Sequence, residues 1–362
     1  MPVRFRPSAR IKRPSGRLLF AHNLILSMQS TPQTYQSAGV SLTEADNALA
    51  RIKTWVESTF NSQVYGRWGH FGGCFAPDLT GIKIPILVSS TDSVGTKLIV
   101  AIQAQIHDTV GQDIVNHCVN DILTCGAKPL FFLDYIGIGS LSAEVVEQIV
   151  KGIAIACRQS DCVLIGGEMA EMPDIYKKGD YDLVGTIVGI ADRDRLIDGS
   201  TLIPGDVLIG IPSTGLHTNG YTLARKVLSR FALGDRIEGL EGTLGEELLR
   251  IHRSYLPLMS NILTQVRVKA MAHITGSGLE GNTRRVVPEG MKAVFDWSAW
   301  QVPPLFALIQ KVGNIEIEEM RRVFNMGIGF VIGCNKSDVD GLLGIARKQG
   351  EKPLVVGEIV TK

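Results

Sequence analysis

The sequence predicts an α/β (α+β) chain of two domains, and three observations carry that prediction. Apolar, β-branched runs at residues 84–88, 128–136, 162–165, 181–190 and 207–211 have the length and composition of strands. Among them lie segments whose apolar residues recur at three- and four-residue spacing, the period of a helix packed on one face. The loops leaving the strands are rich in glycine, hydroxyls and carboxylates rather than in solvating lysine and glutamate. At 362 residues, 45% apolar and 20% charged, the chain is long enough for two cores, and it has no collagen period, heptad run or low-complexity block.

The net charge of +1 is unevenly spread. Residues 1–43 hold six Lys/Arg and no Asp/Glu, which leaves 31 basic and 36 acidic residues in the body. A body with an acidic excess gives no support for a nucleic-acid partner. No stretch reaches the roughly 18 to 20 apolar residues of a membrane span. The six cysteines (Cys74, Cys118, Cys125, Cys157, Cys162, Cys334) form no C-x-x-C pair and no zinc spacing, which reads as free thiols in a reducing cytoplasm. The basic segment up to residue 34 reads as a disordered tail, with translation from Met28 as one account of it.

Taken in order, Leu42, Ala45, Leu49, Ile52 and Val56 predict an amphipathic helix capped by Ser41 or Thr43. Residues 65–75 interleave four glycines, including Gly72 and Gly73, with aromatics, and read as either a mobile lid or a tight turn. The strand at 84–88 then runs into Asp92-Ser93-Val94-Gly95-Thr96-Lys97. A carboxylate suited to Mg²⁺, a glycine that admits close approach, a hydroxyl and a lysine within six residues form a phosphate-and-metal grammar. A solvated turn is the competing account, and the single glycine before the lysine excludes a P-loop.

A helix over residues 113–125 carries an apolar stripe, with Asp113, Asn116, His117, Asn120 and Asp121 opposite. Such a stripe is ordinarily a solvated face, yet this one has no Lys or Glu, and Asp121 could share a cation with Asp92. After the strand at 128–136, Ser142 caps a helix through residue 157, and a buried strand ends in Gly166-Gly167-Glu168. The charged run 192–195 and the turn 204–206 mark a boundary, giving an N-terminal domain over 35–195 and a C-terminal domain over 196–362. In the second half, Ser213-Thr214-Gly215-Leu216-His217-Thr218-Asn219-Gly220 feeds a helix over 221–228. Such a loop is either an anion site or a simple cap by Thr218 and Asn219. The segment 272–285 repeats a strand, a small-residue loop and a basic helix start with Asn282 and Arg284. Strand-like residues follow at 324–332 and 354–360, with a helix between them over 337–348.

Together these motifs resemble the aminoimidazole ribonucleotide synthetase family, the phosphoribosylformylglycinamidine cyclo-ligases of de novo purine biosynthesis. The markers are the Asp92 to Lys97 segment, His117-x-x-Asn120-Asp121-Ile122, Gly166-Gly167-Glu168 with Ala170-Glu171-Met172-Pro173, residues 212–221, His273-Ile274-Thr275-Gly276 and Phe324-Asn325-Met326-Gly327. The resemblance runs from Tyr35 to Ile359; Ser93 and Ser277 stand where the family commonly has Gly, and Met169 where it has Thr.

The resemblance implies a two-domain ATP-dependent synthetase fold whose first-domain sheets form a barrel across a homodimer. It implies ATP-dependent ring closure of formylglycinamidine ribonucleotide, with ATP and Mg²⁺ as cofactors. It places Asp92 and Asp121 on the metal, and Lys97, Thr96, Gly95, Asn120, Glu168, Gly72 and Gly73 around the nucleotide. His217 is expected at the cyclising centre with a pKa suited to neutral pH. Ser213, Thr214, Gly215, Thr218, Asn219, Asn282 and Arg284 are expected on the ribotide. Selenophosphate synthetase, thiamine-monophosphate kinase, the hydrogenase maturation dehydratase and a non-catalytic ribotide-binding protein are the alternatives. Cys74 has no adjacent lysine, and the chain ends Val360-Thr361-Lys362 without a cysteine, against the first and third.

Overall fold

In the computed structural model, residues 33–362 are described. The tail expected over residues 1–34 therefore lies, up to residue 32, outside the described residues. The first half comprises α1 (Leu42–Glu57), β1 (Val64–Tyr65), β2 (Cys74–Phe75), β3 (Pro85–Ser93), α2 (Lys97–Ala104) and α3 (Asp108–Leu123). It continues with β4 (Lys128–Ile138), α4 (Ala143–Gln159), β5 (Val163–Glu171) and β6 (Tyr181–Asp192). The second half comprises β7 (Val207–Pro212), α5 (Tyr221–Leu228), α6 (Leu244–Leu248), α7 (Leu256–Ile262), β8 (Val268–His273) and α8 (Gly278–Thr283). Then come β9 (Met291–Phe295), α9 (Pro304–Gly313), α10 (Ile317–Val323), β10 (Ile328–Cys334), α11 (Val339–Lys348) and β11 (Leu354–Thr361).

Each half is built on one sheet. The first has strand order β3-β6-β4-β5, and the second β8-β10-β7-β11-β9. Alternation decides which faces are covered. Odd-numbered residues of β6 from Tyr181 to Ile187 are all buried, and the strand packs against α3. Along β3, Pro85, Leu87, Ser89, Thr91 and Ser93 are exposed while the residues between them are half-buried. The outer face of this edge strand is therefore open.

The helices form where capping and periodicity predict. Of the two candidate caps for α1, Ser41 is the one used, its Oγ accepting the Glu44 N–H at 3.2 Å. Ser142 caps α4 in the same way through the Val145 N–H. Helices α3 and α4 cross closely because glycines face each other. A Cβ on Gly111 would lie 2.1 Å from the Ile149 carbonyl oxygen, and one on Gly152 2.1 Å from that of Asp108. Ile114, Phe132, Ile149 and Ile153 fill the core beneath, each fully buried side chain contributing about 1.5–3 kcal/mol.

The two halves share this core. One apolar cluster runs from Val94, Leu98 and Val115 to Leu216, Tyr221 and Leu248. Leu123, at the end of α3, packs with Ile209, Ile211 and Tyr255 of the second sheet. Helix α3 is thus wedged between the halves, and its polar stripe, the ordinary form of which is solvated, is buried there. Asp113, Asn116, His117 and Asn120 are all at most 4% exposed.

Three element boundaries differ from the sequence reading. Strand β3 continues through Asp92 and Ser93, and β5 through Gly166-Gly167-Glu168, because β6 and β4 offer partners along their whole lengths. Both carboxylates therefore sit on strands rather than in the loops that follow. The segment at 324–327 is a turn, with Met326 and Gly327 at φ of 51° and 100°, and β10 begins only at Ile328. Residues 66–73 join β1 to β2, which makes this stretch a hairpin loop.

Candidate active site

Asp92, from the edge strand, and Asp121, from the last turn of α3, converge on one imidazole. His117 Nε2 lies 2.9 Å from Asp92 Oδ2 and 4.0 Å from Asp121 Oδ2. Asp121 also accepts from Ser90 Oγ and pairs with His273 Nδ1, both at 2.8 Å. The two halves thus meet across a carboxylate pair and a group of buried histidines.

A continuous chain of polar contacts joins the two carboxylates. Asp92 meets His117 Nε2, and His117 Nδ1 lies 2.8 Å from Thr218 Oγ1. Thr218 Oγ1 lies 3.3 Å from His252 Nδ1, His252 Nε2 is 2.9 Å from His273 Nε2, and His273 Nδ1 reaches Asp121. Those five links need five hydrogens, whereas three neutral imidazoles and one hydroxyl supply four. One extra proton makes every link a hydrogen bond, and His117 is the ring that takes it. Burial works to lower His117, but its hydrogen bond to Asp92 and the charges of Asp121 and Asp92 outweigh burial and leave it raised. Burial holds His252 well below its usual range, with the neighbouring cations adding, and it also lowers His273. With His117 doubly protonated, Thr218 donates to His252, His252 to His273, and His273 to Asp121.

The carboxylates themselves stay charged. Burial works to raise Asp121, yet the hydrogen bond and charge of His273, with His117 and Ser90, hold it at about 2. Asp92 is lowered in the same way, against burial, by His117 and the Ser93 N–H. Each of the four carboxylate oxygens accepts one hydrogen bond, from Ser93 N, His117, His273 and Ser90, and keeps a lone pair. Two hard, ionised, incompletely used carboxylates fit a divalent cation such as Mg²⁺. The nitrogens of His217, His252 and His273 also cluster. However, His217 and His252 stack at 4.0 Å with 13° between planes, so no single ion can lie in both ring planes at the roughly 2.0 Å of a metal–imidazole bond.

His217 sits behind this chain. It is 1% exposed, has φ of 61°, and accepts the Thr214 N–H at Nε2, so its neutral form carries hydrogen on Nδ1, which has no partner among the described residues. Burial, then the neighbouring cationic groups, push it well below the usual range. This revises the expectation of a pKa suited to neutral pH and of direct access to the cyclising centre. Glycine at 329 is what lets β10 press on it, since a Cβ there would stand 2.5 Å from His217 Cε1 and 2.1 Å from Tyr255 Oη.

Lys97 departs furthest from its expected place. Its ammonium, with no exposed surface, lies 2.7 Å from Asp113 Oδ2 and donates to the Arg250 carbonyl at 2.7 Å. Burial pulls the lysine down and the carboxyl up, and the pairing opposes both. Asp113 Oδ1 also accepts the His252 N–H at 2.7 Å. Lys97 therefore clamps α2 and α3 to residues 250–252 rather than facing a phosphate.

The other expected binding residues divide. Thr96 Oγ1 is tied to Thr222 Oγ1 at 2.9 Å, Gly95 is exposed with φ of 69°, and Asn120 holds Arg253 O and Tyr255 N. Gly72, Gly73 and Glu168 lie at the other edge of the sheet. The register runs Asp92, Gly185, Asp134, Gly167 straight across it, so about 14 Å separates these groups within one chain. In the 213–220 loop, Ser213 donates to Gly215 O or Asn325, Thr214 donates to Ile251 O, and Asn219 contacts Thr218. Gly220, not Thr218 or Asn219, is the N-cap of α5. Asn282 is buried, with its amide spent on Gly278 O and Thr275 Oγ1. These polar groups are satisfied inside the protein, which is why they present less to a ligand than their composition suggested.

Next to Asp121 and His273 opens a cavity of about 290 Å³, lined also by Ser89, Ser90, Thr124 and Arg285. Arg284 does not line it. The two arginines share a tight 3₁₀ turn, in which successive side chains diverge by about 120°. His252 carried no signal in the sequence, being a single residue in unremarkable surroundings; His273 stood inside a marker motif, and Arg285 in the basic helix start, where its neighbour Arg284 was the residue expected on the ribotide.

Comparison with known proteins identifies the family. A family model described as AIR synthase related protein, N-terminal domain, matches residues 82–191, and its C-terminal counterpart matches 204–362. Phosphoribosylformylglycinamidine cyclo-ligase from Alkaliphilus oremlandii is 44% identical over 330 residues, covering 90% of this chain and 97% of that protein. The protein of the same name from Desulfitobacterium hafniense (strain DSM 10664 / DCB-2) is 48% identical over 326 residues, covering 90% and 96%. The chain belongs to the phosphoribosylformylglycinamidine cyclo-ligase family. Among solved structures, E. coli HypE superposes with a TM-score of 0.64 at 17% identity, covering 88% of this chain and 91% of that one. Thiamine-monophosphate kinase from Stenotrophomonas maltophilia gives 0.64 at 17%, covering 87% and 94%. At such identities these share the fold, and two of the alternatives weighed from sequence, the hydrogenase maturation protein and thiamine-monophosphate kinase, are distant structural neighbours.

Proposed function

We propose how this chain carries out the reaction of its family. The activity is ATP-dependent closure of formylglycinamidine ribonucleotide to 5-aminoimidazole ribonucleotide, with ADP and phosphate released. The formyl oxygen takes the γ-phosphoryl group as ADP leaves. An amidine nitrogen then attacks the activated carbon, the carbon–oxygen bond breaks with departure of phosphate, and the nitrogen gives up a proton. Catalysis of this kind rests on positioning and charge neutralisation.

The observation that carries the reading is the convergence of Asp92 and Asp121 at the junction of the halves. They hold Mg²⁺, which when bound neutralises the ATP phosphates. His273 and Asp121 form the wall beside the reacting atoms, and His117 and Thr218 hold the two carboxylates in place. His217 acts through His252, on which it stacks, and not by contact with the substrate. Lys97 supports the site through Asp113 and the 250–252 segment, Asn120 does the same through residues 253–255, and Gly95 and Thr96 frame the entrance to it.

The ribotide is held by the second half, where the 213–220 loop and Asn282 shape the site rather than bind through free side chains. Gly72, Gly73 and Glu168 serve the nucleotide from the far edge of the sheet. A homodimer brings that edge to the carboxylates of a second copy, with the exposed outer row of β3 in the interface. The division into domains at 195/196 is supported by the change of sheet between β6 and β7. No helix among the described residues is long and apolar enough to cross a membrane, and all six cysteines are free, which suits a cytoplasmic enzyme.

Titration with Mn²⁺ and ATP, followed by electron paramagnetic resonance, tests the metal assignment. Asp92→Asn and Asp121→Asn are each expected to weaken Mn²⁺ binding at least roughly tenfold. Unchanged binding in both refutes it. Light scattering tests the dimer, with Leu87→Arg, on the exposed row of β3, expected to shift it toward monomer.

A further inference from the structure

The cavity beside Asp121 contains a cation that none of the described residues pairs with. Arg285 lines it and makes no ion pair or hydrogen bond among the described residues, nor does the hydroxyl of Ser89 on the opposite element. The remaining polar walls are already engaged. Ser90 donates to Asp121, Thr124 donates to the Asp121 carbonyl, and Asn282 is tied to Gly278 and Thr275. Val88, Ile122 and Met271 supply apolar surface between them. A guanidinium with no partner among the described residues, at one end of a cavity whose other end carries the Asp121 carboxylate and the Ser89 hydroxyl, makes a polarised receptor. Its cationic part takes an anion, and its carboxylate side repels one.

We propose that Arg285 anchors the phosphomonoester of the ribotide in this cavity, with the formyl and amidine end of the substrate turned toward Asp121 and His273. The guanidinium is the group whose planar fork matches two phosphate oxygens at once. The volume, about 290 Å³, stands at the small end of ligand pockets and suits one ribotide better than a nucleoside triphosphate. The position fits the chemistry. One end of the cavity belongs to β3 and α3, which carry the metal-binding carboxylates, and the other to the turn after α8 in the second half. A substrate bridging the two has its phosphate in one half and its reacting end in the other. Arg284, on the same turn but outside the cavity, supplies the internal control. This inference rests on the cyclo-ligase reading for the identity of the ribotide, but the anchor can be read without turnover.

The experiment compares wild type, Arg285→Gln, Arg285→Lys and Arg284→Gln, each first shown to keep the wild-type melting temperature. Steady-state kinetics give KM separately for the ribotide and for ATP, and calorimetric titration with ribose 5-phosphate gives binding of the phosphate anchor alone. Loss of one charge-assisted contact corresponds to a rise in ribotide KM of roughly 10- to 100-fold in Arg285→Gln. KM for ATP should stay within about twofold, with Arg285→Lys intermediate and Arg284→Gln unchanged. Ribose 5-phosphate should bind wild type and Arg284→Gln but weaken by a similar factor in Arg285→Gln. Equal behaviour of Arg285→Gln and Arg284→Gln overturns the proposal. So does a rise confined to KM for ATP, which assigns the cavity to the nucleotide. Absence of ribotide turnover in wild type counts against the cyclo-ligase reading instead, and the ribose 5-phosphate titration still decides the anchor.

Discussion

Lys97→Met separates the two roles a lysine in that motif can have. In the structure its ammonium and the Asp113 carboxylate are both without exposed surface and 2.7 Å apart. Removing one partner of such a pair leaves the other charge buried and costs about 3–5 kcal/mol. For a chain of this size that is a fall in melting temperature of roughly 5–15 °C. The loss has a sign in pH. Burial already raises the folded-state pKa of Asp113, and without the lysine it rises further above its unfolded value, so stability is retained below the unfolded pKa and drains away as pH increases through the folded one. Lys97→Met should therefore approach wild type in acid and diverge above it. The double variant Lys97→Met/Asp113→Asn removes the orphaned charge while keeping an acceptor for the His252 N–H, and should recover at least about half the loss. Differential scanning calorimetry from pH 5 to 8 reads all three proteins. A Lys97→Met protein that melts with wild type throughout, with its defect confined to KM for ATP, refutes the buried-clamp account.

Gly329→Ala places a Cβ 2.1 Å from Tyr255 Oη and 2.5 Å from His217 Cε1, so repacking should cost about 1–3 kcal/mol and displace His217. A loss of kcat exceeding the change in stability is expected; unchanged kcat contradicts a role for His217 through His252. Asp121, held at about 2, stabilises the fold above its unfolded pKa near 3.9 and loses that contribution as pH falls through the folded value. Acid unfolding of Asp121→Asn should accordingly lack about 2 kcal/mol of pH-dependent stability that wild type sheds between roughly pH 4 and pH 2.

Much of the fold was legible because it is written locally. Ser41 and Ser142 cap the helices their periodicity announces, and α5 spans Tyr221–Leu228 as read. The convergence of Asp92 and Asp121 was legible as chemistry, since a helix stripe of Asn, His and Asp without lysine is poor surface. What covers that stripe was not. Asp113 and Asn120 are met by His252 and Tyr255, 139 and 135 residues away, and no local pattern encodes such a partner. For the same reason Lys97 looked like a phosphate ligand, because a lysine after glycine and threonine has the right groups wherever it points. Strand ends were misjudged at β3 and β5, where pairing with a neighbour outlasts the apolar run.

The central claim is that Asp92 and Asp121 form the metal–phosphate centre of the ring closure. Its most direct test is ADP release and imidazole formation, measured together with Mg²⁺-ATP, with and without formylglycinamidine ribonucleotide, in wild type and Asp121→Asn. The expected result is ribotide-dependent ADP release with one imidazole formed per ADP, abolished in folded Asp121→Asn. Undiminished coupled turnover in Asp121→Asn contradicts the claim.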